Sequence, residues 1–105
     1  GKAYCPCERM PLTVVVEFHG VPTVPITSKT IIFTSEQGNR ITVRDVIEEL
    51  LIIEPRLGGT IIDSDNNLLL SSYLGNINGE KFIEGNLDEM KDGDSLIVIP
   101  RMAGG

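Results

Sequence analysis

The fold is decided by the stretch KDGDSLIVIPRMAGG, which occupies residues 91–105. Its first four residues, Lys-Asp-Gly-Asp, are typical of a polar turn, and the apolar run at 95–99 predicts a strand that Pro100 closes. Residues 101–105 remain as a short tail that ends in Gly104-Gly105. The end of the chain is therefore predicted to be a turn, a last strand and a diglycine tail.

Before this stretch, Asn78-Gly79 is a strong hairpin-turn dipeptide. It ends an apolar segment at 68–77, which we predict as one strand, and Phe82-Ile83 can form a short edge strand after it. Residues 87–90 are expected to form a short turn of α-helix or 3₁₀-helix. The polar cluster at 63–67 predicts a further turn, ahead of the 68–77 strand.

A single helix is predicted between Thr42 and Pro55, where the hydrophobic period changes. Apolar residues recur there with the spacing of one helical face: Val43, Val46, Ile47, Leu50 and Leu51. Thr42 is a suitable N-cap, and Asp45 places negative charge in the first turn, where the helix dipole favours it. Pro55 ends the helix because it cannot continue the hydrogen-bond ladder.

Two N-terminal segments, residues 12–19 and 27–34, are predicted as an antiparallel pair of strands. The complete order predicts an α+β domain with one main helix across a mixed sheet of about four or five strands. The first and last strands can pair in parallel at the sheet centre, which is the β-grasp arrangement. We assign residues 12–100 to this domain and 101–105 to a flexible tail. Residues 1–11 are interpreted as a disordered extension or an expression remnant.

Length and composition fit one modest domain, since the chain has 105 residues of which 41% are apolar. The net charge of −6 repels phosphate backbones and argues against nucleic-acid binding. No apolar run approaches the roughly 20 residues of a membrane-spanning helix, and no signal-peptide pattern opens the chain. Cys5 and Cys7 are too few for a four-ligand zinc site and too close for an unstrained disulfide. We therefore expect a cytoplasmic protein with no nucleic-acid or membrane partner.

Candidates for an intrinsic catalytic or metal site are weak. His19 has no Cys, Ser or acidic partner that the spacing would fix beside it. The aspartate pairs 63/65 and 92/94 lack the ~12-residue pattern of a calcium loop, so we interpret both as turns. We predict no bound cofactor, no metal and no general base in this chain.

Several motifs of the C-terminal half follow one another in a fixed order: Asn78-Gly79-Glu80, Leu87, Lys91-Asp92-Gly93-Asp94, Ile97-Val98-Ile99-Pro100 and Ala103-Gly104-Gly105. This order resembles the sulfur-carrier branch of the ubiquitin-like proteins. It is most similar to the small subunit of molybdopterin synthase, followed by the thiamine-pathway sulfur carrier and the archaeal ubiquitin-like modifiers. The resemblance extends over residues 68–105, is looser over 12–54 and does not include 1–11.

The resemblance implies that the carboxylate of Gly105 is the reacting group. A ubiquitin-activating-type adenylyltransferase would use ATP to convert it to an acyl-adenylate, and a sulfur donor would then leave a thiocarboxylate. The tail residues Arg101, Met102, Ala103 and Gly104 would enter the partner, either a synthase large subunit or an acceptor protein. Glycines suit the end of such a tail because, without Cβ atoms, they pass through a narrow channel. The chain would be a carrier subunit that is not catalytic alone.

Three functions stay open at this point. The favoured one is sulfur donation in the biosynthesis of molybdopterin, the molybdenum or tungsten cofactor. A ubiquitin-like modifier would instead join the same tail to lysines, and a non-conjugating β-grasp interaction domain would not use the diglycine. The residues do not decide the pathway, the sulfur donor, the oligomeric state or the role of the 57–67 insertion. Nor do they place the apolar sheet patch on which such carriers dock.

Overall fold

The structure is a computed structural model that describes residues 11–21, 26–34 and 40–102. Cys5, Cys7 and the tail residues Ala103, Gly104 and Gly105 lie outside these ranges. The elements are β1 (Pro11–Phe18), β2 (Ser28–Thr34), β3 (Arg40–Thr42), α1 (Val43–Ile53), a 3₁₀ turn (Pro55–Leu57), β4 (Ile62–Asp63), β5 (Leu68–Leu69), β6 (Tyr73–Ile77), β7 (Lys81–Phe82), β8 (Glu89–Lys91) and β9 (Ser95–Pro100). No helix in the described ranges is long and apolar enough to cross a bilayer.

The main sheet has five strands in the order β2-β1-β9-β6-β7. β1 pairs in parallel with β9, with Val15 opposite Ser95 and Phe18 opposite Val98, whereas the other pairs are antiparallel. The first and last strands therefore form the centre of a mixed sheet, as predicted. Two small two-stranded sheets, β3-β8 and β4-β5, stand beside it.

Helix α1 begins where its cap requires. The Thr42 hydroxyl accepts a hydrogen bond from the Asp45 N–H (3.3 Å), and the Asp45 carboxylate accepts one from the Thr42 N–H (2.9 Å). This reciprocal capping box satisfies backbone donors that the first helical turn leaves free. The next two donors of that turn are also satisfied, since Val43 N–H and Arg44 N–H donate to the carbonyls of Asp88 and Asn86.

The core lies between α1 and one face of the main sheet. α1 contributes Val43, Val46, Ile47 and Leu50, all 1% exposed or less, while Leu51 is only half-buried. β1 contributes alternate residues, and β9 contributes Leu96 and Val98. Because strand side chains alternate between faces, the intervening residues of both strands lie on the opposite side of the sheet.

The predicted hairpin turn at Asn78-Gly79 is present, with φ of 62° and 73° at the two residues. Two consecutive positive φ angles are the signature of a type I′ turn, which suits Asn followed by Gly. The Asn78 side chain also joins this turn to the next one. Its Nδ2 donates to Asp94 Oδ1 (2.9 Å), and its Oδ1 accepts from the Ser95 N–H (2.8 Å).

Two local predictions were wrong, and one short strand was not predicted. Residues 68–77 form two strands, because a turn from Leu70 to Tyr73 interrupts them. No helical turn forms at 87–90, because Leu87 ends a non-helical turn and Glu89 begins β8. Met90 is buried in β8 between exposed neighbours and pairs with Ile41. β3 itself was not predicted, since three residues are too few to show a hydrophobic period.

The 57–67 insertion is an ordered part of the domain. Leu57, Ile61 and Ile62 are buried in the common core, and β4 returns through a polar turn to β5. In that turn the Asp63 carboxylate accepts hydrogen bonds from the Asn66 side chain (2.9 Å) and the Asp65 N–H (3.0 Å). These donors, the Asn66 amide first, hold the pKa of Asp63 below its usual value.

Candidate functional site: the tail exit and the outer sheet face

The tail leaves the domain from the central strand β9. Beyond Pro100, the Arg101 N–H donates to the Ser72 carbonyl (2.7 Å), and Arg101 Nε donates to the Ser71 carbonyl (2.9 Å). Met102 is 79% exposed. Of the predicted site residues, Arg101 and Met102 are thus placed at the surface where β9 ends, whereas Ala103, Gly104 and Gly105 lie outside the described residues. Their chemical roles stay predictions.

The end of β1 lies next to Pro100, the last residue of β9 before the tail. A Cβ built on Gly20 would lie 3.7 Å from Pro100 Cδ, which is ordinary van der Waals contact, and Gly20 itself has a φ of +69°. Glycine adopts that conformation without the penalty that a side chain would incur. The His19 N–H donates to the Val98 carbonyl (3.0 Å), so the end of β1 stays joined to β9 until just before the tail begins.

The side of the main sheet that faces away from α1 carries several apolar side chains. These side chains occupy the alternate strand positions that the core does not use, and Leu74 stands directly opposite Ile99. We call this surface the outer face and define it by six residues: Val15, Ile32, Leu74, Phe82, Ile97 and Ile99. Ile32 and Phe82 are 65% and 54% exposed, and the other four are half-buried.

Exposed apolar side chains are normal when scattered singly, but a group of apolar side chains on one face of a sheet is typical of a docking site. The outer face includes the central strand β9, whose last residue leads directly to the tail. A partner seated on this face would therefore be next to the tail exit. Sequence reasoning did not place this surface, because the run Thr13-Val14-Val15-Val16 is apolar on both sides of β1.

Polar residues also lie among these apolar ones, as Glu17 does opposite Ile97. Asn76 stands opposite Ile97 and Phe82 and is 9% exposed, and its Oδ1 is buried without a hydrogen-bond partner. His19 Nε2 lies 2.8 Å from Glu17 Oε1 at the end of β1, on an exposed part of the surface. The expectation that His19 has no acidic partner was therefore wrong. Within residues 11–21, 26–34 and 40–102, His19 has no hydrogen bond to a serine that would complete a catalytic triad.

The other acidic candidates have structural contacts. Asp92 Oδ1 accepts a hydrogen bond from the Thr13 N–H (2.8 Å), and Asp94 Oδ2 accepts one from the Lys91 N–H (2.9 Å). The first bond fastens the Lys91–Asp94 turn to β1, and the second closes the turn on itself, as a turn interpretation requires. Across residues 11–21, 26–34 and 40–102, no three His, Cys, Asp or Glu side chains are grouped to hold a metal ion.

Comparison with known proteins bears on the fold. No protein-family model and no curated protein sequence matches the chain. Solved structures do match, among them the solution structure of the HVO 2177 protein of Haloferax volcanii, with a TM-score of 0.65 and 22% identity. That alignment covers 90% of this chain and 88% of the other.

Two further similar structures are those of small archaeal modifier protein 1 (SAMP1) from two archaea. The crystal structure from Haloferax volcanii and the solution structure from Methanosarcina acetivorans each give a TM-score of 0.60 at 22% identity. The alignments cover 89% and 91% of this chain, respectively, and 99% of each relative. Together with the mixed five-stranded sheet and the one α-helix of the described ranges, these similarities establish the ubiquitin-like β-grasp fold and confirm the predicted fold class.

Proposed function

We propose that this chain is a ubiquitin-like carrier that docks through its outer face and presents the carboxylate of Gly105 to partner enzymes. The observation that carries the proposal is the position of Arg101 and Met102, the two tail residues that the structure describes. They follow the central strand β9, and the apolar outer face includes residues of that strand. The body can therefore dock outside an active site while a narrow diglycine end reaches in.

The chemistry follows from the weakness of a carboxylate as an electrophile. In the proposed cycle the Gly105 carboxylate attacks the α-phosphorus of ATP on a ubiquitin-activating-type adenylyltransferase, and pyrophosphate leaves. A sulfide-class donor then attacks the acyl carbon and displaces AMP, which leaves a thiocarboxylate. The sulfur anion is a strong nucleophile and is passed on by a synthase large subunit, in our preferred version to build the dithiolene of molybdopterin.

A second function differs only in the last step. In a protein modifier the activated Gly105 carbonyl is attacked by a lysine amine of an acceptor protein, and an isopeptide bond forms as AMP or an enzyme thiolate leaves. The specific observation in its favour is the similarity to two structures that carry the name of a small archaeal modifier protein. Both versions need the same activating enzyme and the same free diglycine end.

The mass of the protein isolated from its own cells separates the two versions. A sulfur carrier gains the difference between one sulfur and one oxygen atom on its C-terminal peptide. A modifier appears instead as diglycine remnants on lysines of other proteins after proteolysis. If neither is found, and if removing Gly104 and Gly105 leaves the cells unaffected, the chain is a non-conjugating interaction domain and the proposal fails.

Docking through the outer face can be tested with matched substitutions of exposed residues. Ile32→Lys and Phe82→Lys place a charge on the outer face, whereas Ile52→Lys places the same charge on α1, where the side chain is 72% exposed. Because these residues are exposed, each change should alter the unfolding free energy by no more than about 0.5 kcal/mol. We expect weaker binding to the activating enzyme for the first two only. Equal binding by all three variants would contradict the docking surface.

A further inference from the structure

The turn between β5 and β6 presents two consecutive carbonyl groups to Arg101, the first residue of the tail. Ser72 O accepts the Arg101 N–H at 2.7 Å, and Ser71 O accepts Arg101 Nε at 2.9 Å. The first bond continues the antiparallel register of β6 and β9, in which Tyr73 pairs with Pro100. The second comes from the side chain, so Arg101 is held at two separate points. We call this arrangement the tail anchor.

The turn that supplies these carbonyls is itself fastened to the core. The Leu70 N–H donates to the carbonyl of Ile61 (2.8 Å), a residue that is fully buried, and the Tyr73 N–H closes the turn on Leu70 O (2.9 Å). Leu69, one residue earlier, pairs with Ile62 in the β4-β5 sheet. The Ser71 and Ser72 carbonyls are therefore fixed acceptors. Because they are already ordered, the main entropic cost of the contact is the lost conformational freedom of the Arg101 side chain.

We propose that Arg101 is a positioning residue that fixes where the tail begins and the direction in which it leaves the domain. This proposal rests on the proposed carrier function. With Arg101 held, the segment that enters the partner starts at Met102 and not, as the resemblance implied, at Arg101. Its four residues reach at most roughly 14 Å when extended. The β4-β5 unit, which includes most of the 57–67 insertion, thus helps to set the reach of the tail.

The anchor should act on the step after docking. After a partner has bound the outer face, the tail must still enter the partner's active site. A tail that is already oriented loses less conformational freedom in this step than a free one. Loss of the side-chain bond should lower the rate at saturating carrier concentration by roughly 3- to 10-fold, the factor that one ordinary hydrogen bond contributes. The KM for the carrier, which reports mainly on body docking, should change little.

Two substitutions of similar length separate the hydrogen bond from the charge. In Arg101→Gln the amide nitrogen occupies the chain position of Arg Nε, so the donor to Ser71 O is kept while the positive charge is lost. Arg101→Met keeps a side chain of comparable length but has no donor. If the anchor is what matters, Gln restores the behaviour of the wild-type protein and Met does not. If the partner reads the charge, both variants fail alike.

The test combines two measurements on the full chain. Amide hydrogen exchange at Arg101, followed by NMR, reports on the anchor without any partner, and we expect exchange to become about 3- to 10-fold faster in Arg101→Met but not in Arg101→Gln. ATP–pyrophosphate exchange with the activating enzyme gives kcat and KM for the same variants. The proposal is supported if the variant whose amide hydrogen exchanges faster also has the lower kcat, and if KM for the carrier is the same in all variants.

Four results would overturn the proposal. In the first, the amide hydrogen at position 101 exchanges at the wild-type rate in Arg101→Met, and in the second this variant exchanges faster but keeps the wild-type kcat. In the third, the substitution changes only KM, and in the fourth Arg101→Gln protects the amide but still shows a kcat as low as that of Arg101→Met. If wild-type protein supports no pyrophosphate exchange, the carrier function fails instead. The hydrogen-exchange measurement then still decides whether the Arg101 side chain fixes the first residue of the tail.

Discussion

Replacing Asn78 should destabilise the domain strongly, because this one side chain joins two turns. Its amide donates to Asp94, which is only 8% exposed, and its oxygen accepts from the Ser95 N–H at the start of the central strand. In Asn78→Ala the carboxylate loses a donor, which costs about 1.5–3 kcal/mol, and the N–H loses an acceptor, which costs about 1 kcal/mol. The positive φ of 62° adds a third penalty.

That third penalty can be measured separately. Alanine is strained at positive φ and glycine is not, so Asn78→Gly should be more stable than Asn78→Ala by about 1 kcal/mol. We expect losses of about 4 kcal/mol for Ala and about 3 kcal/mol for Gly. The first corresponds to a fall in Tm of at least about 15 °C in a domain of this size.

The assay is equilibrium unfolding in urea, in which the midpoint reports stability and the slope m shows whether the unfolded state has changed. All variants should keep the wild-type slope. Losses below about 1 kcal/mol for both variants would show that solvent replaces the Asn78 contacts. Equal losses for Ala and Gly would show that the backbone conformation at residue 78 carries no strain.

Three further predictions concern other parts of the fold. Thr42→Ala should lower the unfolding free energy by about 1 kcal/mol, whereas Thr42→Ser keeps the cap and should be nearly neutral in the same urea titration. The pKa of Asp63 is lowered by folding, so its contribution to stability is present above the unfolded pKa of about 3.9 and is lost as the pH falls through the folded value. Asp63→Asn should therefore destabilise the domain at pH 7, and the difference from wild type should shrink in unfolding curves taken at progressively lower pH. A Cβ on Gly75 would lie 2.8 Å from Ile83 Cδ1, so Gly75→Ala should cost about 1–3 kcal/mol, and adding Ile83→Val should recover part of the loss in thermal unfolding.

Features with a strong local signal could be predicted from the sequence. Helix α1 was predictable because its apolar period and its Thr42 cap agree, and the Asn78-Gly79 turn was predictable because few other dipeptides accept two positive φ angles. The parallel pairing of β1 with β9 followed from the order of the elements. It is confirmed by the register of the sheet.

Features without such a signal could not be predicted. The Leu70–Tyr73 turn contains neither Gly nor Pro, so an apolar run appeared to pass straight through it. β8 alternates exposed, buried and exposed over only three residues, which is too short to separate a strand from a turn. The partners of Arg101 are backbone carbonyls, which every residue has, so no sequence pattern marks the tail anchor.

The central position of β9 also affects which truncated chains can fold. A chain that is cut or left incomplete before residue 95 lacks the middle strand of its sheet, so β1 and β6 have no common neighbour and the core cannot close. Such a fragment would be open to proteolysis, since unfolded chains are degraded first. Only polypeptides that retain this strand would survive as folded protein. Folding thereby selects against chains that end before β9, but not against chains that lose only the tail.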